Sequence, residues 1–330
     1  MAVIGANNAT IIDIAKRFSD DGALLQIAEI LNQNNEFLED MPMIEANMGL
    51  SHKTSVRTGL PSATWRLFYQ GASQNKSTTA VVTDTCGMLE TYSIIDRDLA
   101  DINDNAKLFR RSEDVAFIEG MAQQAAQAVI YGSVASNPER IQGLSPRYNS
   151  LSAASGSNII NAGGSTNGQQ TSFWLVVFGE RTVHGLYPKG SKAGLQYEDV
   201  TTSQPIDDGS GGKYQAYQTK YQWKLGLSVR DWRYAVRVCN IDVPGLAGAS
   251  PVNLQRLFIR AMNKVPNLKA GKACFIVNRA VRTWADIQQS EKPTLGFHMV
   301  EDAQGKPLLS FRGIPLRLCD QLLTTENVVS

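Results

Sequence analysis

Three histidines, His52, His184 and His298, and four cysteines, Cys86, Cys239, Cys274 and Cys319, are the side chains best suited to metal binding or nucleophilic chemistry. A zinc site draws ligands together through close spacings such as C-x2-C, and a zinc protease through HExxH on a helix. Neither spacing occurs, and the seven residues are scattered from position 52 to position 319. They read as hydrogen-bonded or surface imidazoles and as buried, reduced thiols of a protein made in the cytosol. Asp96, Asp98, Asp101 and Asp104 have the spirit of a calcium loop, but the glycine at position six is missing and position twelve falls on Lys107 instead of glutamate. The series reads as a solvated helix entry. Gly271 and Lys272 lack the GxxxxGK[ST] frame, and the glycines at 209, 211 and 212 precede a strand and not a helix, so no phosphate cradle is expected. GxSxG is absent, and Asp and Glu are too common to nominate a glycosidase pair. The pattern supports no enzyme, no cofactor and no metal site.

Composition narrows the classes further. The chain has 330 residues, 43% of them hydrophobic, which suits a globular fold with two or three packed regions. Thirty-two Lys and Arg against thirty-one Asp and Glu give a net charge of +1, so any contact with nucleic acid must be local. The opening MAVIGANNATIIDIAKRF has no basic n-region, and no apolar run reaches membrane-spanning length; a soluble, unsecreted product with no membrane partner is expected. Trp65, Tyr69, Trp174, Tyr217, Trp223, Trp232 and Tyr234 are interleaved with Arg and Lys, a pattern shared by single-strand nucleic-acid platforms and by ordinary sheets. Sheet packing is the preferred reading.

The elements that position these residues begin with an arm, residues 1–45. Thr10 is a candidate N-cap, and Leu24, Ile27, Ala28 and Leu31 form an apolar stripe that needs a docking surface. Residues 46–95 read as a long hairpin: SHKTSVRT leads into TWRLFYQ, GASQNKST is a polar turn, and TTAVVTDTCGMLETYSIID returns. A two-stranded ribbon of Ser, Thr, Lys and Gln is marginal alone in water, so its partner lies elsewhere on this chain or on a neighbour. In residues 96–150 the spacing predicts a helix capped by Ser112 and closed by Gly132, with Ile118, Met121, Ala122, Ala125 and Val129 on one face. The Gly, Ser and Asn-rich stretch after residue 150 marks a boundary. Residues 151–330 follow with strands from Thr171, a helix over PVNLQRLFIRAMNKVP, a strand ACFIVN, a helix NRAVRTWADIQQS and closing strands. The order lacks βαβ alternation and favours an α+β fold.

Several segments together resemble the major capsid proteins of tailed bacteriophages, the Hong Kong 97 type, most closely a set from short-tailed phages. They are IAEILNQNNEFLEDMP, VRTGLPSATWRLFYQG, KSTTAVVTDTCGMLE, DLADINDNAKLFRRSEDVAFIEGMAQQAAQAVIYG and NPERIQGLSPRY, then SFWLVVFGERTVHGLYPKGSKAGL, ACFIVNRAVRTWADIQQ and FRGIPLRLCD. The resemblance implies an N-terminal arm, an extended E-loop hairpin, a long spine helix in a peripheral domain, and a mixed α/β axial domain whose strands return in part to the peripheral one. One departure stands out. Gly313, Ile314 and Pro315, similar to the GxP strand of these capsids, lie fifteen residues from the end, where many members continue with further strands, so a reordered strand succession is expected.

The implied function is a shell subunit of the virion, assembled in the host cytoplasm, with itself as partner in hexamers and pentamers around double-stranded DNA held non-specifically. Separate scaffolding, cement and portal proteins are the further partners implied. The alternatives are another virion component, tail or decoration, and a single-strand nucleic-acid binder. Expected subunit contacts are Lys53, Arg57, Trp65, Arg66 and Lys76 on the hairpin and Leu24, Ile27 and Leu31 on the arm.

Overall fold

The structure is a computed structural model that describes residues 33–101, 106–207, 211–248, 251–291, 297–301 and 307–330. The chain forms two compact units. The first comprises residues 1–34, 88–126 and 194–224; the second comprises 35–87, 127–193 and 225–330.

The first unit contains most of the helix α1 (Ala106–Tyr131). It also holds the far half of β3 (Thr78–Asp96) and a hairpin of β7 (Leu195–Asp207) with β8 (Lys213–Val229), whose residues 225–229 fall to the second unit. Tyr197 faces Tyr221 and Glu198 faces Lys220 in the antiparallel register, with an irregularity between Val200 and Gln204. β7 carries little strand signal of its own: LQYEDVTTSQPID is polar and contains Pro205, which demotes it as a strand by composition. Arg110 on α1 ion-pairs with Asp199 and donates to Thr219 Oγ1 at 3.2 Å, and Phe117 stacks on Tyr221 with ring centroids 6.4 Å apart. These contacts explain why the helix starts at Ala106, six residues before the expected cap. Ser112 therefore sits inside the helix and not at its N-terminus.

The second unit is built around β5 (Gln170–Phe178), in which all nine residues are buried. Along one edge β5 pairs antiparallel with β9 (Ala235–Asp242), and along the other with β10 (Lys272–Val277). A strand with neighbours on both edges and packing on both faces reads as the continuous apolar run FWLVVF. β9 also carries the short β4 (Ile159–Asn161), and β6 (Val183–Tyr187) pairs with residues 226–229 of β8 and with β1 (Met43–Glu45).

Two helices cover the core. α2 (Leu254–Lys264) begins where the Asn253 side chain accepts from Arg256 N, and buries Leu254, Leu257, Phe258 and Ala261; α3 (Arg279–Glu291) begins at Asn278, whose Oδ1 accepts from Val281 N. Phe258 stacks on Phe173 at 4.4 Å and meets Phe275 edge-on at 4.8 Å. At the end of α1, Gly132 O accepts from Gly143 N, and a Cβ on Gly132 would lie 2.4 Å from Ala128 O, so only glycine fits this seal.

β11 (Phe297–Glu301), β12 (Pro307–Phe311) and β13 (Ile314–Leu318) close the sheet, β13 lying parallel to β10. Arg312 and Gly313, with φ 49° and 82°, make the two-residue turn between β12 and β13, the left-handed pair that a tight hairpin of this twist requires. Among the described residues β13 is the last strand in chain order. Residues 319–330 instead run irregularly back over the core: Glu326 N donates to Gln170 O at 2.8 Å, and Leu151 N to Ser330 O at 3.1 Å.

Candidate interaction surface

The hairpin of β2 (Ser51–Gly59) and β3 has its root in the second unit, in the register Ser51↔Thr85 through Gly59↔Thr78, with an irregularity between Arg57 and Gly59. Two polar devices hold that root. The Asn47 side chain bonds both backbone groups of Lys53, at 2.7 and 2.8 Å, as a neighbouring strand would. On the returning strand, Asp84 is buried and accepts from Arg147 at 2.7 Å, while the same guanidinium group donates to the carbonyls of Gln142 and Leu227 at 3.2 and 3.3 Å.

Beyond the root, burial ends. Every residue from Leu60 to Lys76 is exposed, and the segment between the two strands has no ladder of its own. TWRLFYQ is thus not a strand: the bulge after Arg57 and Pro61 end the pairing, and β3 offers no partner beyond Thr78. Short-range bonds shape it, with Asn75 Nδ2 on Ser62 O at 2.7 Å, Gln70 N on Leu67 O at 3.2 Å, and Arg66 on Gln70 O at 3.0 Å. Five large apolar side chains stand in solvent here: Leu60, Trp65, Leu67, Phe68 and Tyr69, with Trp65 and Tyr69 fully exposed. A cluster of this kind, standing in water, is the mark of an interaction surface.

The expected contact residues fall as follows. Lys53 and Arg57 lie on the exposed face of β2, roughly 13 Å apart at the rise of a strand, and Trp65, Arg66 and Lys76 belong to the exposed segment. Leu24, Ile27 and Leu31 lie outside the described residues. Leu60, Leu67 and Phe68 join Trp65, Arg66 and Lys76 on the exposed segment without having been expected contacts; their sequence signal is Pro61 beside a run of large apolar residues, which fits a loop tip and not a paired strand. The sheet-packing reading of the aromatics holds for Trp174, which is fully buried in β5, but not for Trp65 and Tyr69, nor for Trp232, which sits in a 3-10 turn.

The residues whose types suit chemistry take structural places. Asp96 Oδ1 accepts from Asp98 N at 2.9 Å and caps a four-residue helix, Arg97–Ala100. Cys239, Cys274 and Cys319 are buried free thiols, and burial pushes Cys239 up to about 11, Cys319 to about 12, and Cys274 further still. Half-buried Cys86 is raised to about 11 by desolvation and by Asp84, so none of the four is poised as a thiolate. His184 is buried against His52, ring centroids 5.8 Å apart, and desolvation lowers it to about 4. The side chain of His298 is outside the described residues. Among the described residues no three His, Cys, Asp or Glu side chains converge on a point fit for a metal ion, and no helix is long and apolar enough to cross a membrane.

Residues 19–330 match the family "Major capsid protein GP7". Among solved structures, a chain of the near-atomic-resolution structure of bacteriophage Epsilon15 is 31% identical, with 100% of this chain and 99% of that chain covered and a TM-score of 0.76. The bacteriophage JBD30 capsid shares the fold at 10% identity, with 91% and 96% covered and a TM-score of 0.51. Against curated proteins the sequence finds no match.

Proposed function

Since this chain belongs to the major capsid protein GP7 family, and is a structural component of the phage virion with an α+β fold of the Hong Kong 97 type that assembles with itself, we propose that the hairpin segment 60–76 is the contact that locks copies together. The observation that carries this reading is the run of seventeen exposed residues, with five large apolar side chains, on a root fixed by a buried ion pair. A single subunit leaves that surface wet. A neighbouring copy would cover it, and burying each large apolar side chain would contribute roughly 1.5–3 kcal/mol to assembly. Lys53, Arg57, Arg66 and Lys76 then lie at the polar rim, and the stripe of Leu24, Ile27 and Leu31 serves as a second strap. In this reading the first unit is the peripheral domain and the second is the axial one. The copies close as hexamers and pentamers into an icosahedral head around double-stranded DNA, with scaffolding, cement and portal as separate proteins.

The test replaces residues 60–76 by a short Gly-Ser linker. A subunit that keeps its circular dichroism and melting temperature but gives no shells in electron micrographs supports the reading. Normal heads from that variant would refute it.

A further inference from the structure

The charge of this nearly neutral chain is unevenly distributed. Among the described residues, the first unit carries ten Asp and Glu against seven Lys and Arg, a net −3; the second carries fourteen against twenty-one, a net +7. The imbalance is sharpest between Asp242 and Asp286. In those forty-three intervening residues there is no Asp or Glu and there are seven basic residues: Arg256, Arg260, Lys264, Lys269, Lys272, Arg279 and Arg282.

Part of that charge is neutralised locally. Lys272 pairs with Asp40 at 2.6 Å, Arg279 with Asp320 at 2.7 Å, and Arg282 lies in the field of Asp286. The remaining four are different. Arg256, Arg260 and Lys264 recur every fourth residue along α2, away from the face that buries Leu254, Leu257, Phe258 and Ala261, and Lys269 follows on the next turn. Arg256, Arg260 and Lys269 are exposed; Lys264 is half-buried with its ammonium group on Ser157 O. Among the described residues none of the four forms an ion pair with a carboxylate. No large apolar or aromatic side chain is exposed on this segment, so the surface offers charge without a stacking platform or an apolar anchor.

We propose that this face of α2, with Lys269, is the surface that meets packaged double-stranded DNA, binding the phosphate backbone without reading sequence. The inference rests on the shell reading above and adds to it which surface faces the contents. Free guanidinium and ammonium groups in a row match a polyphosphate track, and each phosphate they neutralise releases counterions. A single-stranded ligand would want exposed aromatics, which the hairpin tip has and this face lacks.

The experiment compares the full chain with Arg256→Gln/Arg260→Gln/Lys269→Gln, and with Arg66→Gln/Lys76→Gln as a charge-loss control. Each is titrated as unassembled subunit with a random-sequence 30-bp duplex between 50 and 200 mM salt, and each is also imaged for shells. The expected result is duplex binding at least tenfold weaker in the triple variant alone, with its log–log salt slope reduced by roughly 2–3, while shells still form. Unchanged duplex affinity in the triple variant would overturn the proposal. So would loss of shells at unchanged affinity, because the basic face would then be meeting acidic surface on another copy. A wild-type chain that binds duplex through these residues yet forms no shells would count against the shell reading and not against the basic face.

Discussion

Arg237 and Glu326 form an ion pair at 3.0 Å in which each side chain is only 5% exposed, tying β9 to the irregular segment that follows β13. The pair is fully engaged: Arg237 also donates to Tyr148 O at 2.9 Å and to Ser172 Oγ at 3.2 Å and lies over the Trp174 ring, while Glu326 accepts from Ser172 and Tyr131. Removing one partner leaves the other charged and buried. Glu326→Ala is therefore expected to destabilise the subunit by about 3–5 kcal/mol, read as a lowered urea midpoint, whereas Tyr131→Phe loses two hydrogen bonds, the one donated to Glu326 and the one accepted from Leu323 N, and about 2 kcal/mol.

At the hairpin tip the expectation is the reverse. Trp65→Ala and Phe68→Ala remove nothing buried in the subunit, so the melting temperature of the unassembled protein should hold. Assembly should suffer: a loss of roughly 1.5–3 kcal/mol per site raises the critical concentration for shells about ten- to a hundredfold by light scattering.

The root behaves differently from the tip. Asp84→Asn leaves Arg147 without its buried counter-charge and frees the returning strand. Amide exchange over residues 78–87 and 51–57 should accelerate, while protection in β5 and β10 stays at the wild-type level.

Acid should weaken the subunit through His184. The unfolded chain takes up a proton near pH 6.5 that the folded state, with this imidazole buried, refuses until about 4. The unfolded state binds more protons in that window, so stability falls as pH drops from 6.5 toward 4, by an amount on the order of 3 kcal/mol. His184→Leu should flatten the pH dependence of the urea midpoint across the window. An unchanged slope would show that another group controls it.

Much of this fold was legible in the residues. α2 and α3 announce themselves by Asn253 and Asn278 ahead of periodic apolar positions, and β5 by its unbroken apolar run. The misses have physical causes. Ser112 is a good cap by type, but Arg110 finds Asp199 and Thr219, and those tertiary bonds carry the helix past it. TWRLFYQ has the composition of a strand and no strand to pair with. β7 has the composition of a loop and is held by its register with β8. The proposed contact surface is expected from the residues at Lys53, Arg57, Trp65, Arg66 and Lys76, whereas Leu60, Leu67 and Phe68, exposed in the same segment, are missed because large apolar residues are ordinarily read as buried.

β5 also sets a schedule. Its edges are completed by residues of β9 and β10, with Gln170 facing Asp242 and Trp174 facing Ile276, so a nascent chain must be extended to Ile276, almost a hundred residues past Phe178, before the strand is paired on both sides. During synthesis the segment FWLVVF waits as an open, adhesive edge, and copies emerging side by side on one message present the same edge to each other. The longer that strand waits for β9 and β10, the more its twin on a neighbouring chain competes with its own core.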